Sequence, residues 1–451
     1  MATADSIFTF KQAHFEGADG VLTLNYHDSR FGDFQEQFVF PAALLQQPWL
    51  QNEQRNAWLV AVNKAVQHVF WMAGVSYYKT SLAADIQFAH EQPNQVEARW
   101  LTDTWQAGLA ELAHENDLGW LSHIQFPGQN HNSEQADILT LPSRTLVPIG
   151  GGKDSLVTVE RLREAGEDIT LFQVGSSDLI KQVAAATDLP LIQIKRRVDA
   201  RLKEVTEQGA YNGHVPITAI NSTVAVLTAL LGGFDAVVFS NERSADVGNV
   251  QTDNGQWVNH QYSKSWVFEQ QYRDVLSDSI GQAVDYFSLL RPYSELAIVK
   301  EFSRYPQYFD VFSSCNRNFH LSGSRNENGR WCGQCPKCAF VFVCLAPFIS
   351  RQQLLDIFGH DLLADKELWL LLMALFGIEG DKPFECVGEA LEMRAALTLL
   401  KDHEDWQNLV SLEYWSQQVP AVGQSDIEAL IAKQQPYYLP QNRDLSAVHW
   451  L

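Results

Sequence analysis

In Val147-Pro148-Ile149-Gly150-Gly151-Gly152-Lys153-Asp154-Ser155 an apolar strand runs into three consecutive glycines and then into a segment with the pattern of a helix. Glycines let backbone N–H groups approach an anion without side-chain obstruction, and a helix N-terminus adds a favourable dipole. The combination suits phosphate. It is not a Walker A loop, which places glycine where Val147 stands and Ser or Thr where Asp154 stands. A bare triple glycine would read as a turn with no ligand. The Lys-Asp-Ser continuation and the strand–helix context favour the phosphate reading.

Outward from this loop the chain alternates. The pattern predicts strands over 145–149, 169–174, 191–194 and 236–240, with helices over 155–165, 180–187 and 218–231. Such alternation implies right-handed βαβ units, a parallel sheet in an α/β fold, and a ligand at the carboxyl ends of its strands. Upstream, residues 1–143 read as a separate α+β domain. Strands are expected over 8–10 and 21–26 and a helix over 56–72. A polar, turn-rich linker begins at Gly128-Gln129-Asn130-His131-Asn132-Ser133. Residues 346–451 read as mostly helical, including 366–376 and 388–401.

The chain has 451 residues, 46% of them hydrophobic, and a formal charge of −21. That balance argues against a protein that coats nucleic acid, because such binding is mostly phosphate neutralisation by Lys and Arg. A local basic site for a small anion remains open. No secretory pattern is visible over Met1–Phe10, and the longest apolar run, 339–349, is too short to span a bilayer. The expectation is a cytoplasmic protein without a membrane partner.

Three further segments carry chemistry. Ser240-Asn241-Glu242 follows a buried strand, where an acidic residue can bind Mg²⁺; alone it also reads as a charged helix cap. His260, Tyr262 and Lys264 share one short segment and offer proton transfer and anion binding. Cys386, in Pro383-Phe384-Glu385-Cys386-Val387-Gly388-Glu389, sits at an expected helix start, where a thiol pKa can fall; Glu389 closes that motif. His214 is a lesser candidate. Of the six cysteines, Cys332, Cys335 and Cys338 recur with two residues between neighbours, and Cys315 lies upstream. Four thiolates can close a tetrahedral Zn²⁺ site; a three-cysteine iron–sulfur cluster or simply reduced buried thiols are the alternatives.

The glycine loop resembles the SGGxDS loop of the ATP-pyrophosphatase (PP-loop) family, with Gly150 in place of the leading serine. The resemblance implies a Rossmann-type nucleotide-binding core over 144–345, with Asp154 and Glu242 paired around Mg²⁺. The cysteine run resembles the metal site of 7-cyano-7-deazaguanine synthase, a PP-loop enzyme, though Cys315 lies further upstream than that spacing. Taken in order, GGGKDS, NERSADVGN, VNHQYSKS, SCN, WCGQCPKC and PFECVG resemble the MurL-type UDP-N-acetylmuramoyl-L-alanyl-L-glutamate epimerases. This implies ATP-dependent inversion of the terminal L-Glu of UDP-MurNAc-L-Ala-L-Glu, with AMP and pyrophosphate released.

On this resemblance Gly150, Gly151, Gly152 and Ser155 cradle pyrophosphate and Lys153 neutralises it. Gln173, Val174 and Gly175, with Ser240 and Asn241, face the nucleotide. His260, Lys264 and Cys386 supply the proton carriers and the oxyanion contact, with Tyr262 and Glu389 in the candidate set. The rivals are an ATP-dependent amide ligase or 7-cyano-7-deazaguanine-synthase-like enzyme, and a nucleotide-binding regulator with a degenerate loop.

Overall fold

Period-two alternation at the start of the chain produces three antiparallel strands, β1 Ile7–Glu16, β2 Val21–Asp28 and β3 Gly32–Val39. Along β2 every second residue (Leu22, Leu24, Tyr26, Asp28) is buried. β4, Asp85–Phe88, adds to β1 in parallel. The computed structural model describes residues 6–130, 139–251, 255–281, 283–318, 330–441, 443 and 445. His131, Asn132 and Ser133 of the expected linker lie outside the described residues.

The parallel half consists of β5 Thr145–Pro148, β6 Ile169–Val174, β7 Leu191–Arg197 and β8 Ala236–Phe239. A short hairpin, β9 Val250–Gln251 and β10 Trp257–Val258, stands apart, and β11 Asp285–Ser288 completes the large sheet. All four residues of β8 are buried, as expected of a strand covered on both faces. Helices lie in the connections, including Lys153–Glu164 after β5, Asp178–Ala185 after β6 and Ile217–Gly232 before β8. Parallel pairing requires such crossovers.

The sheet has nine strands in the order β11-β8-β5-β6-β7-β3-β2-β1-β4. The segment expected to stand as a separate first domain extends this same sheet: Gln37–Val39 of β3 pairs antiparallel with Lys195–Arg197 of β7. The expected strand over 191–194 therefore runs on through three basic residues. Arg196 is held there by an ion pair with the buried Glu36 of β3. The expected helix at 366–376 divides into a 3-10 turn, Lys366–Leu368, and a helix, Trp369–Leu375.

One apolar core joins the N-terminal strands and the helices Arg55–Ala73, Ile217–Gly232 and Trp266–Ile280. The other joins Lys153–Glu164 to Glu295–Phe302, Pro336–Leu345 and Ala390–Leu400. From Pro336 onward the described residues form helices and loops and no strand. No helix among the described residues is long and apolar enough to cross a membrane.

The chain leaves β5 for β6 and β7 on one side, then crosses to β8 on the other. In open parallel sheets the crevice at such a reversal, beyond the carboxyl ends of the strands, is where ligands bind. Here it is bounded by Gly150–Gly152 and Ser240–Glu242.

Candidate active site

Beyond Pro148 the loop turns at Gly151, whose φ of +85° suits glycine; an added Cβ would meet Leu179 Cδ2 at 2.8 Å. The Gly151 carbonyl accepts from the N–H of Ser313 at 2.9 Å, which ties the loop to the segment before Cys315. Among the described residues a Cβ at Gly150 would meet nothing within 4 Å. Gly152 is the N-cap of Lys153–Glu164, and among the described residues no side chain caps this helix. Its first N–H groups are therefore left to a ligand or water.

The loop opens onto a cavity of about 310 Å³. Gly150, Gly152, Asp154 and Ser155 line it from β5 and its helix, Gln173 and Val174 from β6, and Ser240, Asn241 and Glu242 from β8. Asn221 lines it from the helix Ile217–Gly232. The Oδ1 of Asn221 and the Oγ of Ser240 are buried without a hydrogen-bond partner among the described residues. Buried polar atoms are rarely left so, and a polar ligand would satisfy both. Gly151 and Gly175 are not in the lining; they turn the chain instead, Gly175 with φ +101°.

Three carboxylates, Asp154, Glu242 and Glu295, bring oxygen atoms within 4.8 Å of one another. Lys153 was expected to face phosphate. It is buried instead between Asp154 Oδ1, at 2.6 Å, and Glu295 Oε2, because the first residue of its helix points at the helix Glu295–Phe302. The cations in the cavity lining are Lys264 and Lys337. Burial pushes the Glu295 carboxyl up to about 7 against the pull of Lys153. Burial likewise raises Glu242. Asp154 is also pushed up by burial, but Lys153, Lys337 and Lys264 outweigh it and hold it below the usual range. Three convergent carboxylates form an oxygen-donor set suited to a hard divalent cation.

Beside the cavity lies a second cluster. His260 follows β10, and its Nδ1 pairs with Oε2 of Glu111 from the helix Ala110–Glu115. Its ring centroid is 4.3 Å from that of His214, and the ring also faces the Cys386 thiol. Burial pulls the His260 imidazole down, but Cys386 and Glu111 outweigh it and lift it to about 9. Burial and the charge on His260 press His214 down to about 4. Burial raises the Cys386 thiol, yet Lys264, His260 and Lys337 bring it down to about 5. Lys264 thus belongs to both clusters, since it lines the cavity and faces Cys386.

Two of the sequence candidates are placed elsewhere. Tyr262 is partly buried against the hydrophobic core, with Asp103 near its phenol. Glu389 is the N-cap of Ala390–Leu400 and forms a reciprocal capping box with Glu392.

The MurL N-terminal domain family matches residues 1–289, and the MurL C-terminal domain family matches residues 311–430. The chain belongs to the MurL family. It is 42% identical over 402 residues to the UDP-N-acetyl-alpha-D-muramoyl-L-alanyl-L-glutamate epimerase of Xanthomonas oryzae pv. oryzae, covering 89% of this chain and 87% of that one. It is 39% identical to proteins of the same name from a Micromonospora species and from Salinispora tropica, each over 89% of this chain and 88% and 86% of theirs. The two MurL regions both contribute to the site: Glu111 and His260 lie in the first and Cys386 in the second.

Within the MurL C-terminal region the sulfurs of Cys315, Cys332, Cys335 and Cys338 all lie within 4.8 Å of one another. Cys332–Cys338 is 3.7 Å, Cys335–Cys338 3.4 Å and Cys335–Cys315 3.9 Å. Tetrahedral Zn²⁺ with bonds of about 2.3 Å sets its sulfurs about 3.8 Å apart. The N–H groups of Gln334 and Cys335 point at the Cys332 sulfur at 3.4 and 3.3 Å. Cys315 thus reaches the other three despite its upstream position. The arrangement also fixes Lys337, which sits between two of the cysteines and lines the cavity.

Sequence reading missed Glu111, Glu295, Lys337 and also Asn249, whose side chain accepts from the His260 N–H and donates to the Pro383 carbonyl. Lys337 was visible inside a motif read only for sulfur. Glu295 follows the N-cap Ser294 and reads as an ordinary first-turn acid, and Glu111 reads as a solvated helix residue. Neither carries a local signal.

Proposed function

We propose that this MurL protein inverts the terminal L-glutamate of UDP-MurNAc-L-Ala-L-Glu to D-glutamate, and that it activates the substrate with ATP through a PP-loop nucleotide site. The names of its relatives support the reaction. The observation that carries the mechanism is the double position of Lys264, between the cavity below the glycine loop and the Cys386 thiol. It sets a nucleotide site and a proton-transfer site side by side.

The chemistry requires that proximity. Removing a Cα proton next to a carboxylate builds charge beside existing charge. The glutamate amine is already acylated by alanine, so Schiff-base activation is closed. Instead a carboxylate oxygen attacks the α-phosphorus of ATP, the bond to the β-phosphate breaks, and pyrophosphate leaves toward Gly150–Gly152 and Ser155. In the resulting acyl-adenylate the carboxyl group no longer carries the negative charge, and its carbonyl is a better electron sink. Lys264 holds the carbonyl oxygen as charge develops there. Cys386, as thiolate, takes the Cα proton, and His260, as imidazolium, returns one to the opposite face. Water then adds at the carbonyl carbon and AMP departs. Once product has left the space between them, the contact between Cys386 and His260 lets the thiol proton pass back to the imidazole, which resets both groups.

Asp154 and Glu242, with Glu295 in reach, are the residues that would hold Mg²⁺, which when bound neutralises phosphate charge. The four cysteines would hold Zn²⁺ in a structural role. Residues 144–345 supply the nucleotide side, residues 1–143 the muramoyl-peptide side, and residues 346–451 supply Cys386. The test uses substrate labelled with ¹⁸O in the glutamate α-carboxylate. One ¹⁸O should appear in the phosphate of AMP; unlabelled AMP would rule out the adenylate.

A further inference from the structure

Glu111 has no role in the steps above, yet it is 8% exposed and its carboxylate is hydrogen-bonded to Nδ1 of His260. A carboxylate buried on a helix carries a desolvation penalty unless it is paired with a charge. The other ring within reach, His214, has its Nδ1 4.0 Å from the same carboxylate oxygen. It is pressed toward the neutral form, so the positive charge facing Glu111 is that of His260. Glu111 and His260 stand 149 positions apart in sequence, so two remote parts of the chain converge here.

With Nδ1 taken by Glu111, only Nε2 remains to exchange a proton, and the ring is locked in one orientation. We infer that Glu111 is a positioning residue for the epimerisation: it holds the His260 ring beside Cys386 as an imidazolium, so that thiolate and imidazolium, rather than thiol and imidazole, form the resting pair. This rests on the reading given under Proposed function, and it adds the residue that sets the charge state of the acid. The groups facing His260 are Glu111, His214, Cys386 and Glu385, with Lys264 on its own segment. Those facing Cys386 are His260, Lys264, Lys337 and the adjacent Glu385. Among the groups facing His260, Glu111 is a carboxylate paired directly with its ring.

The test is a pH titration of ¹⁵N-histidine-labelled full-length protein by NMR, with His260 assigned from the His260→Gln spectrum. In the wild-type protein the ring should titrate near 9, and in Glu111→Gln at least one unit lower, the size of shift an adjacent opposite charge produces. In parallel, Glu111→Gln should lower kcat for solvent-deuterium incorporation at Cα about tenfold or more, with KM for ATP and dipeptide substrate within about twofold. A wild-type His260 that titrates at or below 6.5, or a Glu111→Gln midpoint equal to wild type, would overturn the inference. So would loss of one bound metal ion per chain in the variant, which would make Glu111, His214 and His260 a metal site. The titration needs no substrate, so it decides the role of Glu111 even if Cα exchange is never observed, whereas absence of exchange in wild type counts against the epimerase reading alone.

Discussion

Oδ1 of Asn249 accepts the backbone N–H of His260 at 3.0 Å, while the Nδ2 of the same side chain donates to the carbonyl of Pro383 at 2.9 Å. One buried amide therefore joins the segment that carries His260 to the loop that carries Cys386. Asn249→Ala removes both bonds and leaves the part-buried N–H of His260 and the Pro383 carbonyl without this partner, a loss of about 1–3 kcal/mol. Pyrophosphate release should continue in this variant while deuterium incorporation at Cα falls about tenfold or more. Equal losses in both assays would show that the amide serves the fold alone.

Lys153 is 4% exposed and depends on Asp154 and Glu295 for its counter-charge. Glu295→Ala withdraws one of them and leaves an ammonium that cannot reach water. Such breakage of a buried pair is expected to destabilise the protein by about 3 kcal/mol. Equilibrium denaturation in urea measures it, and a variant as stable as wild type would contradict the pairing.

The pH dependence of kcat/KM follows from two groups. Cys386 must be a thiolate, so the rate rises as pH passes its value of about 5. His260 must be an imidazolium, so the rate falls as pH passes about 9. A bell with limbs near these values is expected. A profile that keeps rising through pH 9 would remove His260 as the acid.

The four-cysteine site should hold one zinc ion per chain by elemental analysis, without iron or sulfide. Cys315→Ser should lose the zinc and, through displacement of Lys337, weaken ATP binding about tenfold. Full occupancy in that variant would show that Cys315 is not a ligand.

The glycine loop, the strand ends at Val174 and Ser240 and the cysteine run were legible because each signal is local: strand, turn and helix are contiguous, and a thiol spacing is read directly. What was not legible depends on partners far along the chain. Lys153 turns inward because Glu295, 142 residues later, stands behind it. The basic end of β7 is strand because Glu36, 160 residues earlier, pairs with Arg196. Glu111 gives no sign in its own helix that it meets His260. Local pattern placed the glycine turn and the strand ends that line the cavity, and long-range pairing decided which charges face it.

The central claim is that a carboxylate must be masked by adenylation before its neighbouring carbon will release a proton. It is tested most directly by following deuterium incorporation at the glutamate Cα of UDP-MurNAc-L-Ala-L-Glu in D₂O, with ATP and with an analogue whose α,β-bridge is methylene. Exchange and inversion should proceed with ATP and Mg²⁺ and be absent with the analogue. Exchange at an equal rate with the analogue, or with no nucleotide, would contradict the account.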